Sequence, residues 1–213
     1  MYKRQDLQLG RPDLADDFFG TDPVEVVYEP FLDALYHSVY ADWHRLSQRP
    51  LAALGAIREV RGARISELSE DADMLLSLAE ARTLIALGEH VAAEQVLART
   101  VGSRGALAHQ GRILALAARL QSPGDELEYA AWRVLRQLPC AWLDPVEAST
   151  VLKQAADALL ECGRITAAQG TLGASRAIAS ALLRDALEED VAMLRHALGV
   201  QATPRKPLPR AQP

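Results

Sequence analysis

β-Branched residues are scarce in this sequence. Among its 213 residues there are 37 alanines and 33 leucines but only 13 valines and six isoleucines. Alanine loses no side-chain entropy in a helix, whereas β-branched residues lose rotamer freedom there and are favoured in strands. The composition therefore predicts an all-α protein and argues against a sheet. The length fits one domain or one array of small repeats.

Cysteine and long apolar runs are scarce too. The two cysteines, Cys140 and Cys162, have neither metal-site nor disulfide-framework spacing, so we expect both to be ordinary buried thiols. No apolar run approaches the roughly 18 residues of a membrane span, and no signal core follows the start. We therefore expect a cytoplasmic protein with no membrane partner. The formal net charge of −5 argues against nucleic-acid binding, which needs a basic face.

Catalytic and metal-binding motifs are missing as well. The five histidines are scattered, without HExxH or Glu-x-x-His spacing, and there is no P-loop, GxGxxG or GxSxG. His37 and His44 share one predicted helix but would need further ligands to hold a metal. The stretch Asp16–Asp22 resembles an acidic metal cluster, yet it lies among turn residues, where aspartate is common for backbone reasons. We expect a protein that is not an enzyme and needs no cofactor.

Both ends of the chain contain several prolines. Residues 1–30 carry Pro12, Pro23 and Pro30, which predicts an irregular lead segment. Within it, Met1–Gln5 resembles the translated end of a transposon adapter used in sequencing libraries, and is either such a scar or an ordinary basic start. Residues 201–213 are rich in proline and basic residues, which predicts a disordered tail.

Helical spacing begins after the lead segment. Apolar residues recur every three or four positions from Phe31 to Leu46, and a shorter helix is predicted at residues 51–61, so 31–65 forms an N-terminal helical unit. Seven of the eleven aromatic residues lie between positions 18 and 43. They either pack this unit onto the rest of the chain or form a surface for a partner or a second copy, which would give a homodimer.

The chain then repeats itself. Residues 79–100 reappear, displaced by 75 positions, at 154–175, and a degenerate copy lies 37 positions after the first. Glycine marks the turn in two copies because it enters the left-handed conformation without steric cost, and alanines after it let paired helices approach. We therefore predict three helix–turn–helix units with turns at Gly88, Ser122–Gly124 and Gly163. The matching positions are Ala81, Leu84, Gly88, Ala92, Ala93 and Leu97 with Ala156, Leu159, Gly163, Ala167, Ala168 and Leu172.

This pattern resembles the tetratricopeptide repeat over roughly residues 67–180. It departs from that family in lacking the aromatic near the start of the first helix, in its longer period and in an insertion at the middle turn. The resemblance implies a right-handed array of about three repeats across residues 66–200, which a helix at 182–198 would cap with a polar outer face.

The resemblance also implies a binding surface. In such arrays the first helices line a concave groove, and four of the nine groove positions here are basic against one acidic. We expect charge-assisted hydrogen bonds to another protein or peptide that is acidic; the alternative is that these are scattered, solvated charges. The positions are Leu78, Arg82, Ile85, Arg112, Ala115, Arg119, Lys153, Asp157 and Leu160.

Two functions are compatible with these features. The first is a bacterial-type adaptor or chaperone, a non-catalytic module that holds a partner segment in its groove; the last unit resembles chaperones of secretion-system translocator proteins. The alternative is the C-terminal sensing arm of a longer bacterial regulator that is truncated at its N-terminus. The genomic reading frame upstream of Met1 would separate them.

Overall fold

Helices account for nearly all of the described chain. The computed structural model describes residues 30–64, 68–100, 105–121, 124–138 and 140–197. Of these residues 86% are helical, well above the globular average of about one third, and none lies in a strand. The all-α prediction is confirmed. The predicted lead segment before Pro30 and the proline-rich tail lie outside the described residues.

Eight α-helices occur in these ranges, and two short 3₁₀ helices, Ala98–Thr100 and Arg119–Gln121, follow the fourth and fifth. Across the described ranges, none of the helices combines the length and apolar character needed to cross a membrane. The α-helices are α1 (Pro30–Leu46), α2 (Pro50–Arg64), α3 (Glu70–Ala86), α4 (His90–Leu97), α5 (Ala106–Ala118), α6 (Asp125–Leu135), α7 (Pro145–Glu161) and α8 (Ile165–Ala197).

The helices are arranged as four consecutive pairs, α1/α2, α3/α4, α5/α6 and α7/α8. The first members pack side by side in the order α1, α3, α5, α7, and each second member also packs against the first member of the next pair. A single pair of short helices cannot bury its apolar face, so neighbouring pairs supply the continuous core. The packing is compatible with a helical repeat.

In three of the pairs, the two helices are connected by a turn of the same geometry. Its central residue has a positive φ: 61° at Gln48, 79° at Gly88 and 73° at Gly163. The turns predicted at Gly88 and Gly163 are therefore confirmed, whereas sequence reasoning did not recognise the turn at Gln48. In the middle unit, Gly124 also has a positive φ, of 144°, while Ser122 and Pro123 lie outside the described residues.

The hydrogen bonding of the three turns is also the same. The residue after the left-handed position donates its amide N–H to a carbonyl five residues back, which is the Schellman arrangement that satisfies a helix's last carbonyls. The bonds run from Arg49 to His44 (2.8 Å), from Glu89 to Leu84 (2.9 Å) and from Arg164 to Leu159 (2.8 Å). Helices α1 and α2 thus form the same kind of pair as the predicted repeats.

Small residues let the paired helices approach. Ala81 and Ala93, which flank the turn at Gly88, are both fully buried, and Ala156 and Ala168 are buried around Gly163. The pair α1/α2 has buried alanines at equivalent positions, Ala41 and Ala53. The close helix contacts expected from the alanine pattern are present in all three pairs.

Two details differ from expectation. The predicted capping helix is not separate: α8 runs without interruption from Ile165 to Ala197, about 50 Å, and Leu183 and Leu187 in its second half are 67% and 63% exposed. The expectation of two buried thiols is wrong: Cys140 is only partly buried, and Cys162 is exposed because it lies in the turn after α7, where the chain reverses at the surface.

Candidate functional site

A buried polar network joins the first helices of all four pairs. Its members are Asp42 on α1, Arg82 on α3, Gln110 on α5, and Asp144 and Glu147 at the start of α7. Arg82 donates from Nε to both carboxylate oxygens of Glu147, at 2.9 and 3.0 Å, and from Nη2 at 2.7 Å, while its Nη1 lies 3.7 Å from Asp42. The Arg82 side chain is only 9% exposed, so this cation is committed to partners inside the fold.

The uncharged member of the network completes these contacts. Gln110 is fully buried and donates from Nε2 to Glu147, while its Oε1 accepts the amide N–H of Asp144 at 3.1 Å. Asp144 caps α7 by accepting the N–H of Glu147 at 2.9 Å. A buried charge is tolerated only when it is paired and hydrogen-bonded in this way.

The pKa values reflect the same contacts. Burial alone would raise the pKa of Glu147, but the charge and hydrogen bonds of Arg82, together with Arg45 and Gln110, lower it. For Asp144 burial is the larger influence, so its pKa is raised. Glu147 is therefore the firmly ionised partner of Arg82, and Asp144 is the carboxyl that takes up a proton more easily.

An open cleft of about 240 Å³ lies elsewhere, between the second helices of two pairs. Helix α4 and the following 3₁₀ helix form one wall, α6 forms the other, and α5 forms the floor. Leu97, Thr100 and Ala130 at its base are buried. Gly111 lies in close contact with Thr100, since a Cβ there would lie 2.6 Å from Oγ1 of Thr100. We call this space the arginine cleft because Arg112, Arg119 and Arg133 line it.

Charge on the cleft is mainly positive. Arg119 is paired, because its Nε and Nη2 donate to the two oxygens of Glu94 at 2.8 and 3.2 Å; this bond and the Glu94 charge raise its pKa although burial opposes them. Among the described residues, neither Arg112 nor Arg133 has an acidic side chain in ion-pair contact. Three guanidinium groups and one carboxylate thus leave a net positive rim in a chain of net charge −5.

An aromatic side chain completes the rim. Tyr129 on α6 is 60% exposed, and the guanidinium carbon of Arg133 lies 5.9 Å from its ring centre. At this distance a cation is attracted to the face of the ring. Exposed tyrosine and arginine beside an apolar floor are the residue types enriched where protein surfaces bind partners.

The structure separates the predicted site residues into four groups. Arg112, Ala115 and Arg119 line the arginine cleft, and Arg82 belongs to the polar network. Leu78 is in the core at 1% exposure, and Ile85 packs against core residues. Lys153, Asp157 and Leu160 are exposed on α7. Arg133 and Tyr129 were missed because the predicted register considered only the first helix of each unit.

Other groups with chemical potential are dispersed. In the part of the chain that the structure describes, no three His, Cys, Asp or Glu residues are placed to hold a metal ion. His109 on α5 has a lowered pKa because it is buried and lies near Arg112, and Nδ1 of its ring is buried without a hydrogen-bond partner. Burial raises the pKa of Cys140, although the nearby Arg112 charge opposes it, so this thiol forms the reactive thiolate less readily.

The described part of the aromatic segment lies on α1. Tyr36, Tyr40 and Trp43 stack along the helix, with centroid distances of 6.1 and 5.6 Å, and Trp43 is buried. Phe18, Phe19 and Tyr28 lie outside the described residues. Burial of Trp43 fits the packing alternative, whereas the homodimer stays a prediction.

Comparison of the chain with protein-family models, with curated proteins and with solved structures finds no match.

Proposed function

We propose that this protein is a non-catalytic interaction module of tetratricopeptide-like type, an adaptor or chaperone that holds an acidic segment of another protein in the arginine cleft. One observation carries the proposal. Arg112 and Arg133 flank an apolar base, and neither has an acidic partner among the described residues.

The chemistry of the cleft favours a peptide carboxylate. A guanidinium group matches a carboxylate through two parallel hydrogen bonds, and such bonds are stronger than neutral ones. The volume of about 240 Å³ is below the roughly 300–1,000 Å³ of drug-sized ligand pockets, so the cleft suits a side chain or two better than a cofactor. The apolar base then favours an apolar residue next to the acid.

A titration with a synthetic peptide tests this function. The probe is a short fluorescein-labelled peptide that alternates glutamate and leucine, and its binding to the full chain is followed by fluorescence anisotropy. We expect replacement of glutamate by glutamine in the probe, or Arg133→Glu in the protein, to weaken binding about tenfold or more. Binding should also weaken as salt rises, since partly exposed charges are screened.

Lys153→Glu is the matched control. It makes the same change of charge at an exposed position outside the cleft lining, so we expect the affinity of the parent protein. If Lys153→Glu weakens binding as much as Arg133→Glu, the partner binds along the first helices instead. If the glutamate probe binds no better than the glutamine probe, the arginine cleft is not a carboxylate site.

A further inference from the structure

Negative charge is concentrated before the first helix. Residues 6–29 contain seven acidic residues and one basic residue, whereas the whole chain has a net charge of −5. The same stretch carries three aromatic residues, Phe18, Phe19 and Tyr28, and the acidic pair Asp16–Asp17 comes directly before two of them. We name residues 6–29 the acidic segment. It combines the carboxylates and the apolar side chains that the arginine cleft would select.

We propose that the acidic segment of this same chain occupies the arginine cleft in the free protein, as an internal competitor of the partner. The inference rests on the proposed function in so far as it uses the same cleft. The sign of the charge is complementary, because the described lining of the cleft contains three arginines, Arg112, Arg119 and Arg133, and one acidic residue, Glu94. The buried base beside Tyr129 offers apolar surface to an aromatic side chain.

The connection is long enough for this contact. Helix α1 begins at Pro30, so Asp17 lies 13 positions before the start of the described fold. At 3.3–3.6 Å per residue an extended chain of this length reaches about 43–47 Å. A folded unit of the described size has a radius of gyration of roughly 15 Å. The reach of this stretch is about three times that radius, which is compatible with a contact between the segment and the cleft.

Attachment to the same chain makes the competition effective. A covalent connection of this length holds two groups at an effective concentration of the order of millimolar. Even if the segment binds weakly, with a dissociation constant of about 100 μM, the cleft would then be occupied by the segment about ten times as often as it is empty. A partner must displace the segment, so its apparent affinity falls by the same factor.

A competition experiment on the full chain tests the proposal. The probe is a labelled synthetic peptide of residues 12–29, and the test variant carries Asp16→Asn, Asp17→Asn and Asp22→Asn, which leave the described fold untouched. We expect this variant to bind the probe about tenfold more tightly than the parent. When Arg133→Glu is added to the variant, this increase in affinity should disappear. The control variant Asp157→Asn/Glu161→Gln/Glu188→Gln changes net charge equally at exposed sites and should behave as the parent does.

A second measurement detects the contact directly. Arg133→Lys places an amine at the cleft, and a carbodiimide then couples amines to carboxylates that lie in contact with them. We expect mass spectrometry of the monomer to find this amine joined to an acid of residues 13–29. The same reaction after Arg176→Lys, at an exposed position on α8, should give no such product.

The outcomes separate the two proposals. If the test and control variants bind the probe equally and the amine at position 133 does not couple to the segment, the internal competitor is refuted. The proposed function survives that result if the glutamate–leucine probe still binds through Arg133. If neither probe binds the parent or the test variant, both proposals fail.

Discussion

At the scale of single residues, His44 lies at a position of the first helix pair that is occupied by leucine in the second and fourth pairs. Its carbonyl accepts the turn bond of the first pair, as the carbonyls of Leu84 and Leu159 do in two others. All three side chains are buried, but Nδ1 of His44 has no hydrogen-bond partner. Burial, and then the nearby Arg49 charge, lower the pKa of His44. The imidazole is thus a polar group in an apolar position.

We expect His44→Leu to stabilise the protein. An unsatisfied buried polar atom costs about 1–3 kcal/mol, and leucine has a volume suited to this position in the other pairs. The free energy of unfolding, from urea titration at pH 7, should rise by about 1 kcal/mol. An unchanged or lower value would show that the imidazole has a stabilising role in the stack with Tyr40.

The pH dependence of stability gives an independent check on the same variant. Because the folded-state pKa of His44 lies below its ordinary value of 6.5, the unfolded chain binds more protons between the two values, and stability falls as the pH drops through that range. The variant lacks this contribution. Its advantage over the parent should grow from pH 7.5 to pH 5.5. His109, whose pKa is also lowered, contributes to stability in the same direction in both proteins.

At the scale of elements, whether a turn can be predicted from the sequence depends on its central residue. Glycine stands at the left-handed position at Gly88 and Gly163, and both turns were predicted. Gln48 has the same backbone conformation, with a φ of 61°, but glutamine carries no signal for it. An offset of 40 residues, which aligns Ala41, Gln48 and Ala53 with Ala81, Gly88 and Ala93, was the signal that could have revealed the fourth pair.

Substitutions at the left-handed positions Gln48 and Gly88 test how much these turns contribute to stability. A residue with a Cβ pays roughly 1–2 kcal/mol in the left-handed conformation, and glycine avoids this cost. We expect Gln48→Gly to raise the melting temperature and Gly88→Gln to lower it. No atom lies within 4 Å of a Cβ on Gly88, so backbone strain alone is measured there. Equal melting temperatures for all three proteins would show that the turns are held by their helices rather than by φ.

At the scale of the whole molecule, Arg82 shows why the site was only partly predictable. Its helix and register followed from the repeat, but its partner Glu147 lies 65 residues away and on a different pair. A local pattern contains no information about such a contact. Arg112 and Arg119 were predicted for a groove along the first helices, but they line a cleft between second helices that Arg133 and Tyr129 complete from α6. The site therefore depends on packing between pairs.

The same contact affects cooperativity. In a simple repeat array each unit contacts only its neighbours, so stability is a sum of local terms. Here Arg82 joins α3 of the second pair to α7 of the fourth and also contacts Asp42 of the first. The polar network therefore couples pairs that are not adjacent. We expect the parent protein to unfold in one transition, with circular dichroism and the fluorescence of its three tryptophans changing together.

Arg82→Met should break this coupling. It leaves Glu147 charged in a buried site, which costs about 3–5 kcal/mol, whereas Arg82→Met/Glu147→Met removes both charges and should recover most of the loss. Arg176→Met, at an exposed site on α8, is the control and should unfold as the parent does. The deficit of Arg82→Met should shrink as the pH falls from 7 to 5, because Glu147 without its cation takes up a proton. A double variant no more stable than Arg82→Met would contradict the pairing, and a constant deficit would show that Glu147 is not the group left uncompensated.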